Sequence, residues 1–285
     1  MALNRHRLIT APASSANLGP GFDCFAAALD LELRLEVRET GSFAVVTDLD
    51  VEQGRDNLVV RAFSELADPS SFEFRISSTI PLCGGLGSSA AAVVAGVMAA
   101  DHIFELDADL LAVATSIEGH PDNVGAALRG GVVVCADGSA DRLPLPGYLE
   151  AVIVAPGEPV RTSEARAALP AEVPMTDAVA NVAHAGLLVA GLVSGDRELI
   201  ARGLRDDLHQ ARRAHLFPRS FELLGRAEEF GAIGATISGA GPTVLFWTDA
   251  QDTGLVVERL RAATSGWAEV IRVPFAETGA DVAEL

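Results

Sequence analysis

Pro81-Leu82-Cys83-Gly84-Gly85-Leu86-Gly87-Ser88-Ser89-Ala90-Ala91 is the stretch whose reading decides the fold. Just before it, Phe72, Phe74 and Ile76 alternate with Glu73 and Arg75, the two-residue period of a half-buried strand. Just after it, Ala90 to Ala100 is unbroken apolar sequence rich in alanine, which predicts a buried helix. A strand, a glycine loop and the start of a helix therefore follow one another. Glycines at 84, 85 and 87 allow backbone N–H groups to turn toward a ligand, and the helix behind them adds unpaired donors and the positive end of its dipole. A phosphate suits such a cradle. A plain tight turn with Ser88 or Ser89 as N-cap would share the local pattern, so the assignment needs support from elsewhere in the chain.

Composition narrows the possibilities. The chain has 285 residues, enough for one large domain or two moderate ones with a substantial core, and two is the expectation. It is 49% hydrophobic but only 5% aromatic, so that core is built from Ala, Val, Leu and Ile. Its formal net charge of −18 repels phosphate backbones and anionic lipid, which argues against nucleic acid and membranes as partners. All 21 basic residues are arginine; lysine is absent. A Walker A loop and a protein-kinase site both require a lysine on the phosphates, so both are excluded. Cys24, Cys83 and Cys135 are widely spaced and form no CxxC pair or Cys/His cluster, as expected of reduced, buried thiols. The N-terminus has no apolar signal segment, and Ala90 to Ala100 is far shorter than the roughly 18 residues of a membrane span. A soluble cytoplasmic protein is expected.

The rest of the chain alternates short β-branched runs with helical windows. Strands are expected around Val132–Val134, Val152–Val154, Ala235–Ile237 and Val244–Trp247, and helices near Leu106–Ile117, Asp177–Val193, Asp196–Leu208 and Phe221–Phe230. The class is α+β or α/β. Between Asp137 and Glu150 periodicity fades and Gly138, Pro144, Pro146 and Gly147 accumulate, which places a boundary between a domain at 1–147 and one at 148–285.

Three further segments carry polar chemistry. A phosphate loop without lysine needs another source of positive charge, and Mg²⁺ on oxygen ligands is the usual one. Glu118 is a candidate ligand, in Ile117-Glu118-Gly119-His120-Pro121-Asp122-Asn123, where Gly119 and Pro121 break a helix and gather polar side chains. The opening Pro12-Ala13-Ser14-Ser15-Ala16-Asn17-Leu18-Gly19-Pro20-Gly21-Phe22-Asp23 reads as a loop packed on a pocket, with Asn17 and Asp23 facing its contents. Ser238-Gly239-Ala240-Gly241-Pro242-Thr243 lies between two expected strands as a glycine turn.

Taken in order, PASSANLGPGFD at 12–23, PLCGGLGSSAA at 81–91 and SGAGPT at 238–243 resemble the three motifs of the GHMP superfamily of small-molecule kinases. The resemblance spans nearly the whole chain. Within the superfamily, the opening motif and EGHPDN are similar to the homoserine kinases, whereas mevalonate kinases carry a lysine in the first motif. The resemblance implies an α+β, two-domain GHMP kinase fold: an N-terminal domain like ribosomal protein S5 and a ferredoxin-like C-terminal domain. It also implies ATP-dependent phosphorylation of the L-homoserine hydroxyl to O-phospho-L-homoserine, in threonine biosynthesis. Another small hydroxy acceptor such as threonine, or an inactive ligand-binding relative, are the alternatives. Dimers are common in the family.

The roles implied by the resemblance are as follows. Pro81, Leu82, Cys83, Gly84, Gly85, Leu86, Gly87, Ser88, Ser89, Ala90 and Ala91 wrap the ATP phosphates, and Ser89, or Ser88 beside it, joins Glu118 around Mg²⁺. Asn17, Asp23, His120, Asp122 and Asn123 line the acceptor site, with Asn123 orienting the hydroxyl and Asp23 and Asp122 binding the acceptor's ammonium and ordering the site. Gly239 and Gly241 close it. Arg166 and Arg213 hold the acceptor's carboxylate, a role suited to a planar guanidinium with two parallel donors. The family has a Pro-aromatic pair ahead of the second arginine, where this chain has Ala211-Arg212, so Arg212 and Arg213 compete for that role.

Overall fold

The computed structural model describes residues 5–82, 84–158 and 160–285; Cys83 of the glycine loop lies outside them. Among the described residues two sheets carry the fold. One contains β1 (His6–Ala16), β2 (Phe25–Glu39), β3 (Ala44–Thr47), β4 (Phe72–Ser78), β5 (Val132–Ala136) and β6 (Ser139–Leu143). The other contains β7 (Leu149–Pro156), β8 (Gly234–Ile237), β9 (Val244–Asp249) and β10 (Ala268–Val273), in the order β10-β7-β9-β8. The last strand, β11 (Asp281–Glu284), returns to the first sheet and pairs with β1, giving β11-β1-β2-β4-β3, with β5 on β2 and β6 on β5. Every pairing is antiparallel except β3 with β4, so the class is α+β, as expected.

The helices are α1 (Leu58–Ser64), α2 (Ser88–Phe104), α3 (Leu110–Glu118), α4 (Asp122–Arg129), α5 (Thr162–Ala167), α6 (Met175–Ser194), α7 (Arg197–Gly203), α8 (Gln210–Arg213), α9 (Pro218–Leu224), α10 (Ala227–Phe230) and α11 (Thr253–Ala263). The alanine-rich α2 lies on the first sheet and buries Ala90, Ala91, Val93, Val94, Val97 and Ala100. Small side chains let helix and sheet approach closely, which is how a core poor in aromatics reaches interior density.

The elements differ from the sequence expectations where local chemistry overrides hydrophobic period. Segment 12–23, expected as loop, is strand as far as Ala16. Pro12 is tolerated there because β11 pairs only with Arg7 to Thr10, and a register shift follows between Pro12 and Ala13. The helix expected from Leu106 begins at Leu110, since Glu105 ends α2 in a left-handed conformation and Asp109 caps α3 through the Ala112 N–H. The window Asp196–Leu208 stops at Gly203: Asp206 then accepts the N–H groups of Leu208, His209 and Gln210 and starts a new turn, α8. Phe221–Phe230 is split around Gly225 into α9 and α10.

Helix α6 has the length and apolarity of a membrane-crossing segment, with a mean hydropathy of 1.4, and 22% of that window is buried. Its buried side, carrying Asn181, Leu188 and Leu192, packs on α7. Five pieces converge between the two sheets: the loop after β1, the glycine loop before α2, the α3–α4 junction, the β8–β9 hairpin, and α5 with α8.

Candidate active site

These pieces enclose a cavity of about 170 Å³ lined on one side by Gly84, Gly85, Gly87, Ser88, Ser89 and Glu118. Gly84, Gly85 and Gly87 have φ of 86°, 86° and 63°, conformations open to glycine at little cost. A Cβ on Gly85 would lie 2.4 Å from the Ser238 carbonyl oxygen, and one on Gly87 2.0 Å from Ser14 Oγ. The cradle therefore has room for backbone only. Gly87 is the N-cap of α2 and no side chain caps that helix, so neither Ser88 nor Ser89 consumes its first-turn donors. Ser89, not Ser88, meets Glu118, through a short hydrogen bond from its Oγ to Oε1.

The hairpin motif braces this loop from the second sheet. Thr243 Oγ1 donates to the Gly84 carbonyl at 2.7 Å, Ser238 Oγ donates to that of Gly85 through a short bond, and Ser238 also meets Ser15 Oγ at 2.8 Å. Ser238, Thr243, Ser14 and Ser15 are buried, and sequence reading assigned none of them a role. Their signal was the small polar residues interrupting otherwise apolar strand ends.

The other side of the cavity is lined by Asn17, Phe22, Asp23, His120, Asp122, Asn123, Arg166 and Arg213. Asn17 has φ of 71°, Leu18 of 44° and Asp23 of 57°; left-handed non-glycine residues grouped in one loop mark backbone held against its preference. Asn17 stabilises that loop, donating from Nδ2 to the Gly239 carbonyl at 2.8 Å and accepting the Asp23 N–H at 3.0 Å. At the α3–α4 junction Asp122 is 2% exposed, and its Oδ1 meets His120 Nδ1 at 2.8 Å and the Asn123 N–H at 2.7 Å. The hydrogen bond to Asp122 raises the His120 pKa, with burial opposing it. Asn123 Oδ1 accepts from Ser14 Oγ at 2.8 Å, which leaves its amide N–H groups for a ligand.

Two arginines face this wall. Arg166 on α5 grips Asp23 through Nη1 and Nη2 at 2.8 and 2.9 Å, which raises its own pKa. Arg213 is 3% exposed and donates from Nε to the Ala165 carbonyl at 2.8 Å; burial first, then Arg166, lowers its pKa. Both guanidiniums lie over the Phe22 ring, at 5.7 and 5.2 Å from its centroid. Arg212 instead bonds Asp177 at 2.9 Å and the Asp207 carbonyl, and does not line the cavity. Of the two adjacent arginines, α8 presents Arg213 to the cavity.

Other residues of the motifs lie elsewhere. Leu86, Ala90 and Ala91 are core, Leu82 is exposed, and Pro81 lines a separate groove with Pro156 and Trp267. Gly241 sits behind the wall, where a Cβ would meet Phe217 at 2.7 Å; Gly239 and Ala240 face the cavity. Among the described residues no three His, Cys, Asp or Glu side chains converge on a metal position. Glu118 and Ser89 nonetheless offer adjacent hard oxygens beside the glycine loop, a pair that would suit a Mg²⁺ ion.

Two family models match the chain, GHMP kinases N terminal domain over residues 57–131 and GHMP kinases C terminal over 188–265. The homoserine kinase of Parasynechococcus marenigrum is 38% identical over 281 residues, covering 91% of this chain and 88% of the relative. The chain is a GHMP kinase. The homoserine kinase of Moorella thermoacetica is likewise 38% identical, covering 84% of this GHMP kinase and 86% of its relative. The crystal structure of homoserine kinase from Cytophaga hutchinsonii superposes on it with a TM-score of 0.88 at 28% identity over 99% of both chains. An L. major mevalonate kinase in complex with R-mevalonate, at 17% identity and a TM-score of 0.72, shares the fold. This GHMP kinase thus has the two-domain architecture that its motifs implied.

Proposed function

We propose that this GHMP kinase transfers the γ-phosphoryl group of ATP to the hydroxyl of L-homoserine, forming O-phospho-L-homoserine and ADP, as a step of threonine biosynthesis. One observation carries the reading: a single cavity joins a glycine cradle and helix N-terminus, fit for phosphates, to a cluster of Asp23, Arg166 and Arg213, fit for an amino acid's ammonium and carboxylate.

In this reading residues 84–89 hold the phosphates through backbone donors, and Glu118 with Ser89 would hold a Mg²⁺, which would supply charge neutralisation to the phosphates. Arg166 and Arg213 take the carboxylate and Asp23 the ammonium. Asn123 donates its amide hydrogens to the acceptor oxygen and aims its lone pair at the phosphorus. The oxygen attacks in line, the bond from the γ-phosphorus to the bridging oxygen breaks, and the hydroxyl proton passes to a phosphoryl oxygen. No strong base is required in a loose transition state. Asp122 is already engaged by His120 and Asn123, which suits an ordering role.

We also assign a cytoplasmic homodimer built on α6. Met175, Val179, Val182 and Val193 are 77, 62, 73 and 61% exposed and lie on one stripe with Ala183, Gly186 and Ala190, without a charged residue among them. A contiguous exposed apolar stripe rimmed by polar residues is the kind of surface that another protein covers. Its small residues sit near the middle of the helix, where two copies related by a two-fold axis would cross most closely.

The acceptor is tested by ADP release with homoserine, threonine, serine and mevalonate. The highest kcat/KM is expected for homoserine. A preference for threonine would replace the acceptor, and no ADP release with any of them would leave an inactive ligand-binding protein.

A further inference from the structure

His209 belongs to none of the motifs and does not line the cavity, yet its side chain is 0% exposed and stands directly behind the acceptor wall. Its Nε2 lies 2.9 Å from the Gly19 carbonyl oxygen, and its Nδ1 lies 3.4 Å from Arg213 Nη1. A carbonyl only accepts and a guanidinium only donates, so Nε2 must carry the hydrogen and Nδ1 the lone pair. Both conditions are met by one species, the neutral Nε2–H tautomer. The imidazole also packs on Phe22, with ring centroids 5.3 Å apart, and Phe22 is the surface over which both guanidiniums lie.

We propose that His209 is a positioning residue for the acceptor site: as a neutral Nε2–H imidazole it ties the carbonyl of the 17–23 loop to the Nη1 of Arg213 and so sets the distance between Asp23 and the guanidinium. The inference rests on the acceptor role proposed for Arg213. Among the described residues, the long Nδ1 contact is the only side-chain acceptor that holds Nη1, whose other contact is the Gly239 carbonyl at 3.5 Å. A second proton on the ring would remove that acceptor and set a cation against Arg213. Burial, the leading influence on the ring, keeps it neutral and lowers its pKa. Arg213 acts in the same direction, and the Asp206 and Asp23 carboxylates oppose it.

The experiment has two arms. In the wild-type enzyme, ¹⁵N-correlated NMR of the histidine side chains is expected to show one ring as an Nε2–H tautomer that does not titrate between about pH 5.5 and 8.5, and His209→Phe should remove its signal. In kinetics, His209→Phe keeps the packing on Phe22 but loses both polar contacts; it should raise the KM for homoserine about tenfold, with the KM for ATP within about twofold. His209→Asn returns an oxygen near the Nδ1 position and should recover most of that loss. An Nδ1–H tautomer or a titrating ring overturns the proposal, even if every variant misfolds. So do equal shifts in the two KM values, an unaffected Phe variant, or an Asn variant no better than Phe. If instead the wild-type enzyme ignores homoserine, the acceptor reading fails while the tautomer measurement still reports on the ring.

Discussion

Arg166 and Asp23, 143 residues apart in sequence, face each other across the cavity mouth through two parallel bonds of 2.8 and 2.9 Å. An amino-acid zwitterion offers the same two charges in a small frame, so it can take the place of each partner at the other. An acceptor with a carboxylate but no ammonium would open the pair and leave Asp23 uncompensated. Arg166→Ala is expected to raise the KM for homoserine by about 10- to 100-fold while the KM for ATP changes little, the loss of a charged hydrogen-bond pair. Arg166→Lys should recover only part of it, because an ammonium cannot reproduce the fork. Steady-state kinetics in both substrates checks this, and equal effects on the two would reject the assignment.

Asn123 and Glu118 line the same cavity and carry different roles in the proposed mechanism. Asn123→Leu and Glu118→Ala are each expected to lower kcat by more than about 100-fold, with far-UV circular dichroism unchanged. For Glu118→Ala, titration of the residual rate with Mg²⁺ should show a weakened half-saturation. Near-normal turnover of both variants would remove these roles.

The glycine cradle has a stability signature of its own. Gly87→Ala forces a Cβ to 2.0 Å from Ser14 Oγ, the group that holds Asn123, and does so at φ 63°. Gly85→Ala meets the Ser238 carbonyl at 2.4 Å. Each should cost at least about 1–3 kcal/mol in urea unfolding and should abolish turnover. A variant with wild-type stability would mean that the loop reaches its conformation by another route.

If α6 joins two copies, a charge in the middle of its stripe separates them. Val182→Arg is expected to convert a dimer into a monomer in sedimentation equilibrium, with the circular dichroism spectrum retained. A wild-type protein that sediments as a monomer would overturn the homodimer assignment.

Cys135 reports on the packing under the α3–α4 junction. Its Sγ donates to the Pro121 carbonyl at 3.4 Å, and burial above all, with the Asp122 charge next, pushes its pKa up to about 12. The thiolate is the reactive form, so at pH 8 Cys135 should resist a thiol reagent in the native protein and react once it is unfolded. Mass spectrometry of the labelled peptides distinguishes it from Cys24, which, against the expectation of buried thiols, is exposed. Rapid native labelling of Cys135 would show that the α3–α4 junction opens readily.

Much of the site was legible because its chemistry is local. Glycines at 84, 85 and 87 ahead of an apolar helix pick out a loop in a few residues, and they line the cavity together with Glu118, Asn123 and Asp23. The expected strands and the long α6 were also legible, since their apolar periods are strong. What sequence reading missed were contacts between distant segments: Ser14 on Asn123, Thr243 and Ser238 on the glycine loop, and His209 on Gly19. Each of these residues is ordinary in its own neighbourhood. Helix ends were missed for the opposite reason: one capping carboxylate, that of Asp109 or Asp206, outweighed the hydrophobic period on either side.

By itself, then, the sequence determined the inventory and its order: a chain without lysine, a glycine loop between strand and helix, and arginines as its sole strong cations. Those follow from composition and nearest neighbours. Only the tertiary structure decided which of two adjacent arginines faces the cavity, which of two serines meets Glu118, and that Asp23 and Arg166 hold each other. Neighbouring side chains on a helix point about 100° apart. Which one reaches the site depends on the face that α2 or α8 presents after packing, and that face is chosen by partners scores of residues away.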